Sequence, residues 1–341
     1  MKVAMYYRND DVRLQEMPKP EISAGELLLK VLACGICGSD VMEWYRIKKA
    51  PLVLGHELSG EVAEVGKGVD GFRPGDRVVV THHVACHGCH YCKQGRETVC
   101  GTMRETRFYP GGFSEFLRVP EMNVKNGTLR MPDGMSYDEG TFVEPLGCVI
   151  RGQRVADVKP GQTVLVLGSG ITGLLHVQLA KAKGASKVIA TDISEYRLSA
   201  AKKLGADHVL DAKQDVQASV MKLNGNRLAD MVIVCTGAMP AFVQALRSVD
   251  RGGTILFFAP TDPDVQLPIK VEQLWKNCIN LVTSYAADKR DLAEAMSMIR
   301  DKKIDVRGMI THRFGLGDAG KGFRIFSSGE GCIKVIIKPH G

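Results

Sequence analysis

Four cysteines crowd one short stretch as Cys86-x2-Cys89-x2-Cys92-x7-Cys100. Thiolates at that spacing wrap a single tetrahedral Zn²⁺ and leave it no open position, which makes the site structural. Iron takes the same ligands, but this spacing does not suit the common cluster patterns. His82, His83, His87 and His90 lie nearby and read as loop surface, because four thiolates already satisfy a metal. A second set of metal-binding side chains is scattered. Cys37 stands in Cys37-Gly38-Ser39-Asp40, His56 and Glu57 are adjacent, and Glu144 precedes Pro145. Spacing alone leaves that set open between a metal site and ordinary packed side chains.

A third pattern is Gly168-x-Gly170-x-x-Gly173, placed between an apolar strand and a helix. The first glycine makes the tight turn, the second lets backbone approach a pyrophosphate, and the third lets helix pack on strand. The amides that open the helix, from Gly170 through Ile171 and Thr172, then face the phosphates. Asp192 stands 19 residues beyond Gly173, where an acid accepts hydrogen bonds from ribose hydroxyls. The combination reads as a dinucleotide site. A methyltransferase-type sheet with a similar loop is the competing reading.

These groups need elements to hold them. The first 145 residues are β-rich and punctuated by glycine: 61–65 alternates with period two, and 77–80 follows the Pro74-Gly75-Asp76 turn. From about residue 150, short apolar strands recur at 163–167, 187–191, 208–210, 230–235, 254–258 and 279–283. Helices lie between most of them. The clearest puts Ile171, Leu174, Leu175, Leu179 and Ala182 on one face and stops at Gly184. That alternation predicts a doubly wound parallel sheet, which binds nucleotides at the carboxyl ends of its strands. Thr236, Ala259 and Ser284 follow successive strands and are candidates to border a nicotinamide ring. A helix at 292–299 and strand-like runs at 309–314 and 333–338 complete the chain.

Composition bounds the rest. The 341 residues argue for two domains, and 45% apolar with 24% charged residues excludes disorder and fibrous repeats. No apolar run approaches the ~20 residues that span a bilayer. Residues 1–16 lack the apolar core of a signal peptide, so the expectation is a soluble, cytoplasmic protein without membrane partners. The net charge of +7 is spread without a basic block interleaved with aromatics, so no nucleic-acid partner is expected. Clustered cysteines without an export signal favour metal in a reducing compartment.

Six motifs now stand in order: Cys37-Gly38-Ser39-Asp40; Gly55-His56-Glu57; Gly66-x-Gly68-Val69 leading to Phe72-x-Pro74-Gly75-Asp76-Arg77-Val78; the four-cysteine lobe; Glu144-Pro145-Leu146; and the glycine-rich turn. Together they resemble the zinc-dependent medium-chain dehydrogenases, nearest the sorbitol, threonine and butanediol dehydrogenase branch, over essentially the whole chain. The resemblance implies an α/β architecture: a GroES-like catalytic domain at 1–146, a Rossmann domain at 147–288, and a return to the catalytic domain at 289–341. It implies hydride transfer between a secondary alcohol and NAD, one catalytic and one structural zinc, and a homodimer or homotetramer.

By the same resemblance Cys37 and His56 are catalytic zinc ligands, while Glu57 and Glu144 compete or alternate for the metal. Ser39 matches the hydroxyl that bonds the substrate alcohol and relays its proton, and Asp40 the partner that orients the zinc histidine. Gly168, Gly170, Ile171, Thr172, Gly173, Asp192, Arg197, Thr236, Ala259 and Ser284 fall to the cofactor. Two departures stand out. Relatives commonly end a proton relay at a histidine five residues after the zinc cysteine, where this chain has Met42. The stretch between Cys37 and His56 is also short and carries Glu43, Arg46, Lys48 and Lys49 beside the expected substrate entrance, as candidate partners for a charged substrate. Two other classes are a zinc-free quinone-reductase-like enzyme and a zinc- and nucleotide-binding sensor without catalysis. The first would lack Cys37, His56 and the cysteine lobe. The second is separated by counting zinc ions.

Overall fold

The strand Leu27–Gly35 reads LLLKVLACG and is buried along most of its length. An unbroken apolar run of that size belongs in a sheet interior. It pairs antiparallel with Glu57–Val65, with Phe116–Val119 and with Lys334–Lys338. These strands anchor a seven-stranded sheet, and a smaller three-stranded sheet adds Lys2–Arg8, Asp11–Glu16 and Leu52–Val53. The computed structural model describes residues 1–341 as two units. One comprises Met1–Gly147, Ala286–Lys302 and Val306–Gly341; the other comprises Cys148–Tyr285 and Lys303–Asp305.

In the first unit the late strands Ile310–Gly315 and Lys334–Lys338 pair in parallel and complete the sheet. The helix Lys289–Arg300 precedes them, opened by a reciprocal cap between Asp288 and Asp291. Gly35 marks where the sheet becomes crowded. A Cβ there would lie 2.4 Å from Lys334 Nζ and 2.7 Å from Glu57 Oε2. Only a residue without a side chain lets those two groups meet above the strand.

The second unit is a six-stranded sheet, parallel throughout. Counting from Thr163–Leu167 as the first strand, its spatial order is 3-2-1-4-5-6. The order reverses between Thr163–Leu167 and Ala229–Val234, and a crevice opens at the carboxyl ends of strands at such a point. Every residue of the first strand is buried, which is why it reads as apolar without alternation. The helix Ile171–Ala182 packs on it and buries His176 completely. That imidazole stands edge-on to Phe258, with ring centroids 4.6 Å apart, and its Nδ1 lies 3.3 Å from Gln153 Nε2. No helix of the protein is long and apolar enough to cross a membrane.

Candidate metal centres and dinucleotide site

The sheet of the first unit delivers three donors to one point. Cys37 follows the central strand, Glu57 opens the next, and His56 precedes it. Their ligand atoms all lie within 4.8 Å of one another. Asp40 is fully buried beside them and organises the loop. Its Oδ2 accepts from the Cys37 amide at 3.1 Å, and its Oδ1 lies 3.4 Å from His56 Nδ1. Holding Nδ1 leaves Nε2 of His56 for a metal, the usual second partner of a ligating histidine. Burial alone would drive His56 toward its neutral form, yet the charges of Asp40 and Cys37 raise its pKa well above the ordinary value. The same field favours a bound cation. Glu144, buried on the helix Val143–Val155, stands outside this three-residue cluster.

Three neighbours were not legible as neighbours. Lys334 is fully buried and its Nζ meets Glu57 Oε2 in a close ion pair, with a further bond to Ile36 O at 3.3 Å. Its signal in sequence was a lone lysine inside the apolar run 333–337. The expectation that His82 and His83 are loop surface is corrected in part: both lie in a loop outside the metal clusters, but they are half-buried. The His82 ring lies 4.6 Å from that of His56 and 3.7 Å from that of His83, and His82 Nδ1 is buried without a partner. Burial, with His83 and His56 close by, keeps His82 well below the ordinary histidine range. Arg46 is also drawn inward: its Nη2 donates to Ser39 Oγ at 3.0 Å. Of the other charges near it, Glu43 accepts from the Asn9 amide, Lys49 lies over the Tyr45 ring, and Lys48 is exposed.

The four-cysteine lobe closes on itself. Cys86, Cys89, Cys92 and Cys100 converge within 4.8 Å, with Cys89 and Cys92 sulfurs 3.5 Å apart and Cys86 and Cys100 sulfurs 3.6 Å apart. A tetrahedron with Zn–S bonds of about 2.3 Å has sulfur edges of about 3.8 Å, so the lobe has the size of a zinc site. All four are free thiols. Burial works against the Cys100 thiolate, but amide bonds from Cys86 and Met103 outweigh it and lower its pKa to about 6.

In the second unit the glycine-rich turn has the shape its spacing implied. Gly168 sits at φ +93°, a conformation that favours glycine. A Cβ on Gly173 would fall 1.9 Å from Gly168 O, whereas one on Gly170 would meet only open space. That space lies at the start of the helix Ile171–Ala182, and the amides that open a helix are donors suited to an anion. Asp192 ends the strand Lys187–Asp192, and its oxygens accept from the Ser169 amide at 2.7 Å and the Ser194 amide at 2.9 Å. Each oxygen retains a lone pair for a hydroxyl. Arg197 lies on the next helix, Glu195–Lys203, with Nε buried and unpartnered. Thr236 abuts Gly168, the Ala259 amide donates to Val234 O at 3.0 Å, and Ser284 Oγ accepts from Arg151 at 3.1 Å.

Residues 23–133 match the alcohol dehydrogenase GroES-like domain, and residues 172–301 match the zinc-binding dehydrogenase domain. The chain belongs to the zinc-dependent medium-chain alcohol and polyol dehydrogenases. It is 31% identical to sorbitol dehydrogenase of Bacillus subtilis (strain 168), over 100% of this chain and 98% of that protein. It is 33% identical to L-threonine 3-dehydrogenase of Rhizobium johnstonii, over 93% and 92% respectively. The solved structure of 2R,3R-butanediol dehydrogenase from Bacillus subtilis is similar at a TM-score of 0.87 and 27% identity, covering 99% of both chains.

Proposed function

We propose that this alcohol dehydrogenase oxidises a secondary alcohol carrying further polar groups, a polyol, diol, hydroxy acid or amino alcohol, with NAD as hydride acceptor. The observation that carries the reading is the convergence of Cys37, His56 and Glu57 beside Ser39, whose amide donates to Cys37 Sγ at 3.4 Å. Zinc at that point would acidify an alcohol oxygen so that its proton is lost to water, and NAD would accept the hydride from its carbon. Cys37 and His56 hold the metal, and Asp40 keeps the imidazole turned toward it. Glu57 has Oε2 on Lys334 and offers its other oxygen as a third donor, with Glu144 as the alternative ligand. Ser39 bonds the substrate oxygen. Met42 can neither take nor give a proton.

In the dinucleotide unit, Gly168, Gly170 and Gly173 shape the turn, and the Ile171 and Thr172 amides receive the pyrophosphate. Asp192 takes the ribose hydroxyls, Arg197 flanks that end, and Thr236, Ala259 and Ser284 border the nicotinamide. Residues 1–146 with 289–341 serve as the catalytic domain and 147–288 as the Rossmann domain. The four-cysteine lobe holds the structural zinc. We also propose a cytoplasmic homodimer or homotetramer. In support, Val271 and Trp275, on the helix Val271–Lys276 that precedes the edge strand Asn280–Thr283 in the chain, are 72% and 78% exposed. Light scattering reads the assembly.

The test of function is to supply zinc-loaded protein with NAD and a panel of diols, polyols, hydroxy acids and amino alcohols, and to follow NADH. Turnover with about two zinc ions per chain is expected. One zinc per chain and no NADH with any alcohol would return the chain to a binding role.

A further inference from the structure

Ser39 Oγ has one partner in the protein, Arg46 Nη2 at 3.0 Å. The same guanidinium donates from Nε to Ser39 O at 2.8 Å, and its Nη2 reaches Asp40 Oδ1 at 3.4 Å. It therefore grips residue 39 by carbonyl and hydroxyl together, against the carboxylate that orients His56. The Arg46 side chain is only 15% exposed. It ends the short helix Glu43–Arg46, which begins immediately after Met42.

The chemistry of the pair sets a direction. A guanidinium carries donors and no acceptor, so Ser39 Oγ must accept from it. The single hydroxyl proton of Ser39 is then left to donate elsewhere. A histidine in this place could give or take a proton; an arginine only gives hydrogen bonds. We propose that Arg46 is a positioning residue that commits the Ser39 hydroxyl to donating toward the substrate oxygen and strengthens that donation by polarising it. The proposal rests on the dehydrogenase reading above. It also removes Arg46 from the candidates for a substrate anion, since two of its three nitrogens already serve residues 39 and 40.

The test is a double-mutant cycle in the zinc-loaded enzyme with whichever alcohol turns over best: Arg46→Gln, Ser39→Ala and both together, with zinc content and melting curves measured on each. Arg46→Gln should lower kcat/KM about 30-fold, the loss of one charge-assisted hydrogen bond, with kcat falling more than KM rises. In the Ser39→Ala background the same change should cost less than about threefold, because the hydroxyl it acts on is gone. Zinc content should match the parent. Arg46→Lys, which keeps the charge but cannot span both oxygens, should recover only part of the rate. Guanidinium salt added to Arg46→Ala should restore kcat. Equal losses in both backgrounds, loss of zinc in Arg46→Gln, or full activity in Arg46→Lys each overturn the proposal. A parent that turns over no alcohol instead overturns the function reading itself.

Discussion

Lys334 and Glu57 offer a sharp test of how the metal loop is held. Both side chains are essentially inaccessible to water, at 0% and 1% exposure. At an ordinary contact of about 3 Å and an effective dielectric of 20, opposite unit charges attract by roughly 5 kcal/mol. Desolvating both ions offsets much of that gain, so the net worth of the intact pair is small. Breaking it is another matter. In metal-free protein Lys334→Met leaves a carboxylate buried beside Cys37 and His56 without its cation, and such a loss costs about 3–5 kcal/mol. Glu57→Gln strands the ammonium and should cost a similar amount. The double variant Lys334→Met with Glu57→Gln removes both charges and should fall well short of the summed penalties, giving a coupling of at least about 2 kcal/mol. Reversible urea unfolding of all four proteins, followed by tryptophan fluorescence and by far-ultraviolet dichroism, supplies the free energies. Additive losses, or a Lys334→Met protein as stable as its parent, would refute the reasoning. In either case Glu57 would be held by something other than Lys334.

Cys92→Ser should remove one zinc per chain and lower stability before it lowers turnover per folded molecule, since metal and folding are coupled in the lobe; unchanged zinc in a normally stable protein refutes this. Asp192 should repel the extra phosphate of NADP, giving NAD an advantage of at least ~30-fold in kcat/KM from roughly 2 kcal/mol of repulsion and lost pairing; equal values with both cofactors count against it. His56→Ala should lose the catalytic zinc and nearly all turnover while NAD binding persists, and Glu144→Ala should keep part of the zinc with little activity. Full activity in both Glu144→Ala and Glu57→Gln would mean that neither carboxylate is a ligand. Burial of His176, with Lys183 adding to it, pushes that imidazole down to about 3. Between there and the unfolded value near 6.5 the unfolded chain binds the extra proton, so stability falls as pH drops, by about 1.4 kcal/mol per unit. Going from pH 6.5 to 5 should cost about 1.6 kcal/mol, and His176→Phe should flatten that slope.

The local patterns proved the most legible. The strand, glycine turn, helix and acid from Thr163 to Asp192 lie within one stretch of chain, so their geometry follows from turn and helix-start chemistry that a sequence displays directly. The cysteine lobe is equally local. His56 and Glu57 read as a pair because they are adjacent, and their meeting with Cys37 followed only from the family pattern. What stayed hidden depends on register between distant strands. Lys334 lies opposite Glu57 because Lys334–Lys338 and Glu57–Val65 flank the same central strand. No spacing rule links residues so far apart. His82 read as surface because four thiolates already satisfy the nearby metal, and nothing in its spacing showed that its ring packs against His56 and His83. Arg46 read as a cation free to meet a charged substrate, whereas the turn after Met42 folds it back onto Ser39.

The interruption of the first unit by Cys148–Tyr285 has a consequence for biogenesis. Cys37, His56 and Glu57 are all translated early, whereas Lys334 follows Glu57 by 277 residues. At about 5–20 residues per second, that gap lasts roughly 14 to 55 seconds on the ribosome. Through that interval the carboxylate has no ammonium to bury against, and it stays hydrated. The central strand Leu27–Gly35 likewise waits for one of its neighbours. A nascent chain that meets zinc in that window presents a wetter and more anionic loop than the finished enzyme does. The last strand to be made is then what dries the site.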